Sequence, residues 1–419
     1  MPKMKPTEKT KKNSSKVSSR LSLGERVPKL RFPGFEGEWK KRDLKDCLSV
    51  CCKRNKQRFT KDEVLSVSGE YGIVNQIEFQ GRSFAGESIS NYKVVLPGLI
   101  VYTKSPLREA PYGIVKASRI ATGIVSPLYG VYIANEGIEP CFIESYFANA
   151  LRRNRYFKPL VNLGPKHTMC ISDDGALGGT IVLPEKEEQS KICDLLATLN
   201  SRIAAQRKLV ELLKKHKRGL IKRLFRPNEH TKWKSVRLGD VGTFHKGAPL
   251  SKADISEDGK PFILYGELYT TYGEIIKDVV RRTTAEIDIP YLSRCGDVII
   301  PTSGETAEEI ATASCIMSDG VVLGGDLNIY RSEHIDGRFL AYAVRFIISR
   351  DISRIAQGVS VVHISATELK RISVSIPSKD EQIRIISVLE NYDNRILHSQ
   401  EILKKMETTK DGLLQQLFV

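Results

Sequence analysis

The sequence predicts an α+β fold assembled from two similar mixed α/β units, each followed by a long helix. Three observations predict it. Sliding the chain against itself by 193 residues lays residues 184–225 on residues 377–418 without a gap, and 13 of the 42 aligned pairs are identical. The segment Trp39-Lys40-Lys41-Arg42-Asp43-Leu44-Lys45-Asp46 recurs as Trp233-Lys234-Ser235-Val236-Arg237-Leu238-Gly239-Asp240, at an offset of 194 that keeps Trp, Lys, Leu and Asp. Strand-like, turn-rich sequence fills the space between each leading segment and its helix. A repeat on this scale dictates architecture before any single residue does.

The helices come from periodicity. In the first copy Ile192, Leu196, Leu199, Ile203, Val210, Leu213, Leu220 and Leu224 step in threes and fours, with polar gaps at Gln206 and Lys217. The second copy has Ile385, Leu389, Tyr392, Ile396, Leu403, Met406, Leu413 and Leu417, with gaps at the equivalent Ser399 and Lys410. That rhythm marks a narrow seam needing a partner helix, and each copy is the other's natural partner. Pro184 and Pro377 are expected in the first turn, where a missing N–H costs nothing. Glu187, Glu188, Asp380 and Glu381 follow, at the positive end of each helix dipole. Polar residues inside a seam weaken it but fix register, and Gln206 is expected to face Ser399. Lys217 and Lys410 either share that role or carry their charges outward along their stems.

The remaining elements follow in order. Residues 1–30 are Lys/Ser-rich and aperiodic, and are expected to be a disordered basic tail. The first unit spans residues 31–183 and its helix 184–228; the second unit spans 229–376 and its helix 377–419. In the first unit, residues 92–102 read as strand, Pro-Gly turn and strand, and residues 293–300 occupy a comparable place in the second. Residues 141–151 and 337–349 read as helices. Residues 180–183 and 372–376 read as closing strands that run into the two prolines. The middles of the units diverge far more than their edges, as in one scaffold with two payloads.

Composition bounds the partners. The 419 residues exceed one ordinary domain, and 41% apolar with 27% charged residues is an ordinary globular balance. No apolar run is long enough to span a bilayer, and the Lys-rich N-terminus lacks the apolar stretch of a secretory signal. The eight cysteines form no C-x-x-C pair and have no histidine at metal-ligand spacing, so free thiols in a reducing cytoplasm are expected. The net charge of +16 suits a polyanion such as nucleic acid. Ten Lys/Arg against two acids lie in residues 1–31, and nine against one in residues 207–226.

Catalytic patterns are missing. Gly259-Lys260 is followed by Pro261 and opens no phosphate loop, and Gly324-Gly325 lacks a dinucleotide-binding context. What remains is a recognition surface of basic, aromatic and amide-rich loops, suited to phosphates and base edges. Candidates in the first unit are Lys53, Arg54, Lys56, Arg58, Tyr71, Arg82, Lys104, Lys166 and His167. In the second they are Lys246, Tyr265, Glu267, Tyr269, Arg281, Arg282, Ser303 and His363. No catalytic residue and no metal site is expected in this chain.

With these residues in view, the chain resembles the specificity subunit of type I restriction-modification enzymes. The Trp-x-x-x-x-Leu-x-Asp segments, the run from His363-Ile364-Ser365 to Ile376-Pro377, and Pro377-Ser378-Lys379-Asp380-Glu381-Gln382 leading to Gly412 and Phe418 carry the likeness. The first copy departs at His167, where only His, Ile171 and Ser172 persist at altered spacing. The resemblance implies an α+β architecture of two similar mixed α/β target-recognition domains separated by two long helices forming an antiparallel coiled coil, a pseudo-twofold duplication. Its seam would include Ile192, Leu196, Leu199, Ile203, Leu213, Leu220, Ile385, Leu389, Ile396, Leu403, Leu413 and Leu417. It further implies a non-catalytic DNA-recognition subunit, each domain reading one half of a bipartite asymmetric site. Its partners would be double-stranded DNA, two methyltransferase subunits and restriction/translocase subunits, with no membrane. S-adenosylmethionine, ATP and Mg would belong to those partner subunits and none to this chain. Two competing readings are a protein-docking adaptor and a self-sufficient DNA methyltransferase.

Overall fold

The computed structural model describes residues 26–107, 110–163, 169–227, 232–356 and 362–419. The two long helices run Lys186–Leu224 and Lys379–Gln416. The chain forms two compact units, Met1–Ile203 with Lys404–Val419, and Ala204–Leu403. Each unit thus holds part of both helices, with Ile192, Leu196, Leu414 and Leu417 buried in the first unit's core and Ile385 and Leu389 in the second's.

In the first unit the leading segment forms a strand, Lys40–Asp43, and a helical turn, Leu44–Cys47. The strand pairs antiparallel with the closing strand Thr180–Leu183, so the two edges of the unit meet. The main sheet is antiparallel, in the order Leu48–Val50, Tyr129–Ala134, Leu99–Thr103, Val115–Ala117. Its central strands are apolar throughout because both faces are covered. Ile100, Tyr102 and Tyr132 face a core with Trp39, Phe142 and Phe147, while Val101 and Val131 face a smaller one with Leu65 and Val125. The first core also buries Ile192 and Leu196 against Leu414, Leu417 and Phe418, and the rings of Trp39, Phe142 and Phe418 meet edge to face or tilted. The expectation of a disordered tail through residue 30 fails at its end: Leu30 N–H donates to Gln416 O (3.0 Å) and Trp39 N–H to Arg26 O (2.7 Å). Arg31 grips Glu188 at the start of the long helix through two 2.8 Å hydrogen bonds.

The second unit repeats this plan. Lys234–Arg237 pairs with Ser373–Ile376. The main sheet orders Thr243–Lys246, Leu327–Arg331, Val298–Pro301 and Ser314–Ile316, and adds Ile275–Ile276 in parallel at its edge. Val298, Ile300 and Tyr330 face one core and Ile299, Leu327 and Ile329 the other. Phe225 stacks on Phe339 (4.7 Å) beside Trp233, in the place where Phe418 meets Phe142 at a tilt beside Trp39. The helices expected at 141–151 and 337–349 are each a pair: Pro140–Ala148 with Ala150–Phe157, and Gly337–Phe346 with Ser349–Ile355.

Two repeated residues explain why the unit edges recur. Gln189 accepts the N–H of Glu139 (3.0 Å) and donates to Gly137 O and Pro184 O. Gln382 accepts the N–H of Asp336 (2.8 Å) and donates to His334 O and Pro377 O. Each buried amide pins the chain just before a domain helix to the chain just before a long helix. The prolines therefore stand two residues ahead of the helices, not in the first turn, and supply a carbonyl to the glutamine.

The seam is apolar where the periodicity requires it. Ile192, Leu196, Ile203, Leu213, Ile385, Leu389, Ile396 and Leu417 are buried, and Leu199, Leu220, Leu403 and Leu413 are partly buried. Within the second unit Gln206 Nε2 donates to Ser399 O at 2.9 Å, so the two polar gaps do face each other. Lys217 does not carry its charge outward. It is 8% exposed, its Nζ lies 3.0 Å from Glu274 Oε2 and 2.5 Å from Asp393 Oδ1, and it sits 5.1 Å from the Tyr342 ring centroid. The Tyr342 hydroxyl also donates to Asp393. Burial pushes the Asp393 carboxyl up, with the Lys217 charge opposing it.

Candidate nucleic-acid interface

In the first unit the cations Lys53, Arg54, Lys56 and Arg58 are exposed on one loop built around a fully buried amide. Asn55 Nδ2 donates to Phe59 O (3.0 Å) and Ile89 O (3.3 Å), and Asn55 Oδ1 accepts from the N–H groups of Arg58 (3.1 Å) and Phe59 (2.9 Å). The asparagine replaces backbone partners a tight loop cannot supply itself. With the loop fixed from inside, its cations point out. Arg54 donates to Asn91 O (3.0 Å), and the Arg58 guanidinium lies 5.4 Å from the Phe59 ring centroid.

Tyr71 stands at the tip of the hairpin formed by Leu65–Ser68 and Gly72–Asn75, where Ser68 Oγ accepts the N–H groups of Glu70 and Tyr71. Its exposed ring meets Phe79 at 5.6 Å. Phe79 belongs to the short helix Gln76–Gln80, capped by the Asn75 side chain. The Arg82 guanidinium covers the Phe84 ring at 4.7 Å, and Gln76 Oε1 accepts the N–H of Phe84 (2.7 Å). Sequence reasoning picked Tyr71 and Arg82 but missed Phe79 and Phe84. The available signal was an aromatic residue in an otherwise polar stretch with no apolar periodicity.

Lys104 is taken up in an ion pair within the fold. Its Nζ lies 2.7 Å from Asp173 Oδ1, and Lys93, itself 2% exposed, pairs with the other oxygen. Lys93 also donates to Tyr129 O (2.7 Å), and the Tyr132 hydroxyl donates to Asp173 O (3.1 Å). Burial would raise the Asp173 carboxyl, but hydrogen bonds and charge from Lys104 and Lys93 hold it below its ordinary value. Lys166 and His167 lie outside the described residues.

The second unit gathers three of its candidates. Strand Ser303–Gly304 pairs with Val362–His363. Ser303 Oγ and His363 Nδ1 are 3.1 Å apart, and the Tyr269 hydroxyl donates to Ser303 O (2.7 Å). Tyr265 leans on Tyr269 at 6.3 Å. Glu267 is a correction: it is 6% exposed, accepts the N–H of Leu264 (3.0 Å), and is paired with Arg281. Its carboxylate is spent inside the fold. Arg282 donates to Gly259 O (2.9 Å) and Lys246 is exposed at the end of its strand. A groove of about 1020 Å³ in this unit is lined by His245, Arg294, Arg331 and Arg338 among others, and by none of the predicted readers. Arg331 there is clamped by Asp297 at 2.9 Å and Arg338 by Asp336 at 2.8 Å.

Among the described residues, no group of three or more His, Cys, Asp or Glu is placed to hold a metal ion. Among them also, no helix is long and apolar enough to cross a membrane.

The described chain is a duplicated α+β scaffold with closed edges and divergent loops, and comparison with known proteins shows what it is similar to. Residues 230–408 match the type I restriction modification DNA specificity domain. The MjaVIII type I restriction enzyme specificity subunit of Methanocaldococcus jannaschii is 23% identical over 261 residues, 57% of this chain and 60% of that protein. A second protein of that organism, provisionally described as the MjaX specificity subunit, is 23% identical over 91% of this chain and 92% of its own length. The fold is similar to the S subunit structure from M. genitalium, with a TM-score of 0.58 at 14% identity, over 94% of this chain and 99% of that one. It is also similar to a chain from a structural study of type I R-M complex assembly, with a TM-score of 0.53 at 18% identity, over 91% and 97%. Residues 230–408 thus carry the sequence pattern of that specificity domain, and the chain is similar along most of its length to a specificity subunit.

Proposed function

We propose that this chain is the DNA-recognition subunit of a type I restriction-modification complex, and that each unit reads one half of a bipartite, asymmetric site. One observation carries the reading. The two units share their framework down to equivalent buried glutamines, Gln189 and Gln382, yet their exposed loops differ in chemistry. The first offers a four-cation loop and exposed aromatic rings; the second offers an exposed His363 hydrogen-bonded to the buried Ser303. Identical scaffolds with identical loops would suit a palindrome, and these suit two unlike half-sites.

In this proposal the long helices form an antiparallel spacer that sets the unread gap, by the same geometry that ties half-site spacing to protein dimensions. They also dock the two methyltransferase subunits, with restriction/translocase subunits outside them. Both units must engage together for full affinity, because the second contact is made at high effective concentration. Methyl transfer and cleavage, with S-adenosylmethionine, ATP and Mg, belong to the partners.

The test is co-expression with a methyltransferase subunit and mapping of modified adenines. A gapped motif with two different halves is expected. A continuous or palindromic motif overturns the asymmetric reading, and methyl transfer by the purified chain alone overturns the non-catalytic one. Binding to random duplex DNA is expected to fall steeply between low and high salt, as counterion release requires. Salt-independent binding would instead favour a protein-docking role.

A further inference from the structure

Three large aromatic side chains of the first unit stand exposed on one small substructure. Tyr71 is 60%, Phe79 45% and Phe84 56% exposed. Leaving apolar area in water costs free energy in proportion to that area, and clustered exposed rings mark a surface that meets something. They are also held in place. Asn75 caps the helix that carries Phe79, and Gln76 from that helix binds the backbone of Phe84. A mini-core of Phe59 and Val64 with Ala85, Ile89 and Tyr92 fastens this substructure to the cationic loop.

The charges around the rings select the partner. Residues 53–58 carry four cations and no acid, whereas Glu70 adjoins Tyr71 and Glu78 adjoins Phe79. Phosphates are attracted to the loop and repelled from the ring pair. Rings held off the phosphates but beside them meet the groove and its base edges. The apolar group on a base edge in the major groove is the thymine methyl. Contact with it needs no unstacking, whereas insertion between bases costs a few kcal/mol per step.

We infer that Tyr71, Phe79 and Phe84 form an apolar platform that reads thymine methyl groups in the major groove of the first unit's half-site. The inference rests on the proposed DNA-recognition function and adds the chemistry of the group that is read. Arg82, held over Phe84, supplies the neighbouring cation.

The test uses the full chain co-expressed with a methyltransferase subunit, and duplex oligonucleotides carrying the mapped site with thymine or uracil at each thymine position. Uracil lacks only the 5-methyl group. Uracil in the first unit's half-site is expected to weaken binding about fourfold per contacted methyl, the factor given by burying one methyl-sized group. The double variant F79A/F84A, with an unchanged melting temperature, is expected to bind thymine and uracil duplexes equally. Equal binding of both duplexes by the unaltered chain overturns the inference. So does discrimination that survives in the variant, or a half-site with no thymine on either strand. Failure to bind any mapped duplex would count against the DNA-recognition function itself.

Discussion

At the scale of the residue, the burial of its partner decides what a charged side chain does. Lys104 and Glu267 look like readers in the sequence, and both are spent inside the fold, on Asp173 and Arg281. Asp173 is the more consequential, because it neutralises the nearly inaccessible Lys93. Removing one member of a buried pair strands the other. Asp173→Asn is therefore expected to cost about 3–5 kcal/mol at pH 7, read by chemical denaturation. The sign of its pH dependence follows from the direction of the shift. A carboxyl held below its ordinary value contributes fully above its unfolded pKa of about 3.9. It loses that contribution as the pH falls through the lower, folded value. Melting curves through the acid range are expected to fall less steeply for D173N than for the unaltered chain; parallel curves would remove Asp173 from the account. The sequence could not show this pair, since its members lie 80 residues apart and no periodicity joins them.

At the scale of the element, the long helices were legible because a repeat and a seam are both local patterns. The facing of Gln206 and Ser399 follows from the seam alone once the helices run in opposite directions. Lys217 did not follow, since one of its carboxylates, Glu274, comes from the recognition unit and not from a helix. The Lys217 cluster ties both helices to that unit. Lys217→Met leaves Glu274 and Asp393 facing each other without a cation, and is expected to cost about 3–5 kcal/mol. Burial already pushes Asp393 up, and losing the cation raises it further. A folded-state pKa above the unfolded one favours the protonated form, so K217M is expected to regain stability as the pH falls from neutral into the acid range. A stability loss independent of pH in that range would show that packing, not charge, was lost.

At the scale of the whole molecule, the proposed spacer makes a metric prediction. Seven residues inserted after Ala205 and seven after His398 add about 10 Å of helix to each strand of the spacer. The unread gap is expected to lengthen by about three base pairs, at 3.4 Å each, with both half-sites kept; an unchanged gap in the methylome would sink the spacer role. By itself the sequence determined the duplication, the two seams and the closing strands, because each is a periodic or repeated signal that neighbouring residues carry together. Only the tertiary structure decided which charged and aromatic side chains stand exposed and which are spent on partners. Asn55 must be buried before Lys53 and Arg58 can be presented, and Tyr71 and Phe79 become a platform only when a hairpin tip and a capped helix meet. Such roles depend on desolvation and on partners brought in from elsewhere in the chain, and neither is written in any one stretch of sequence.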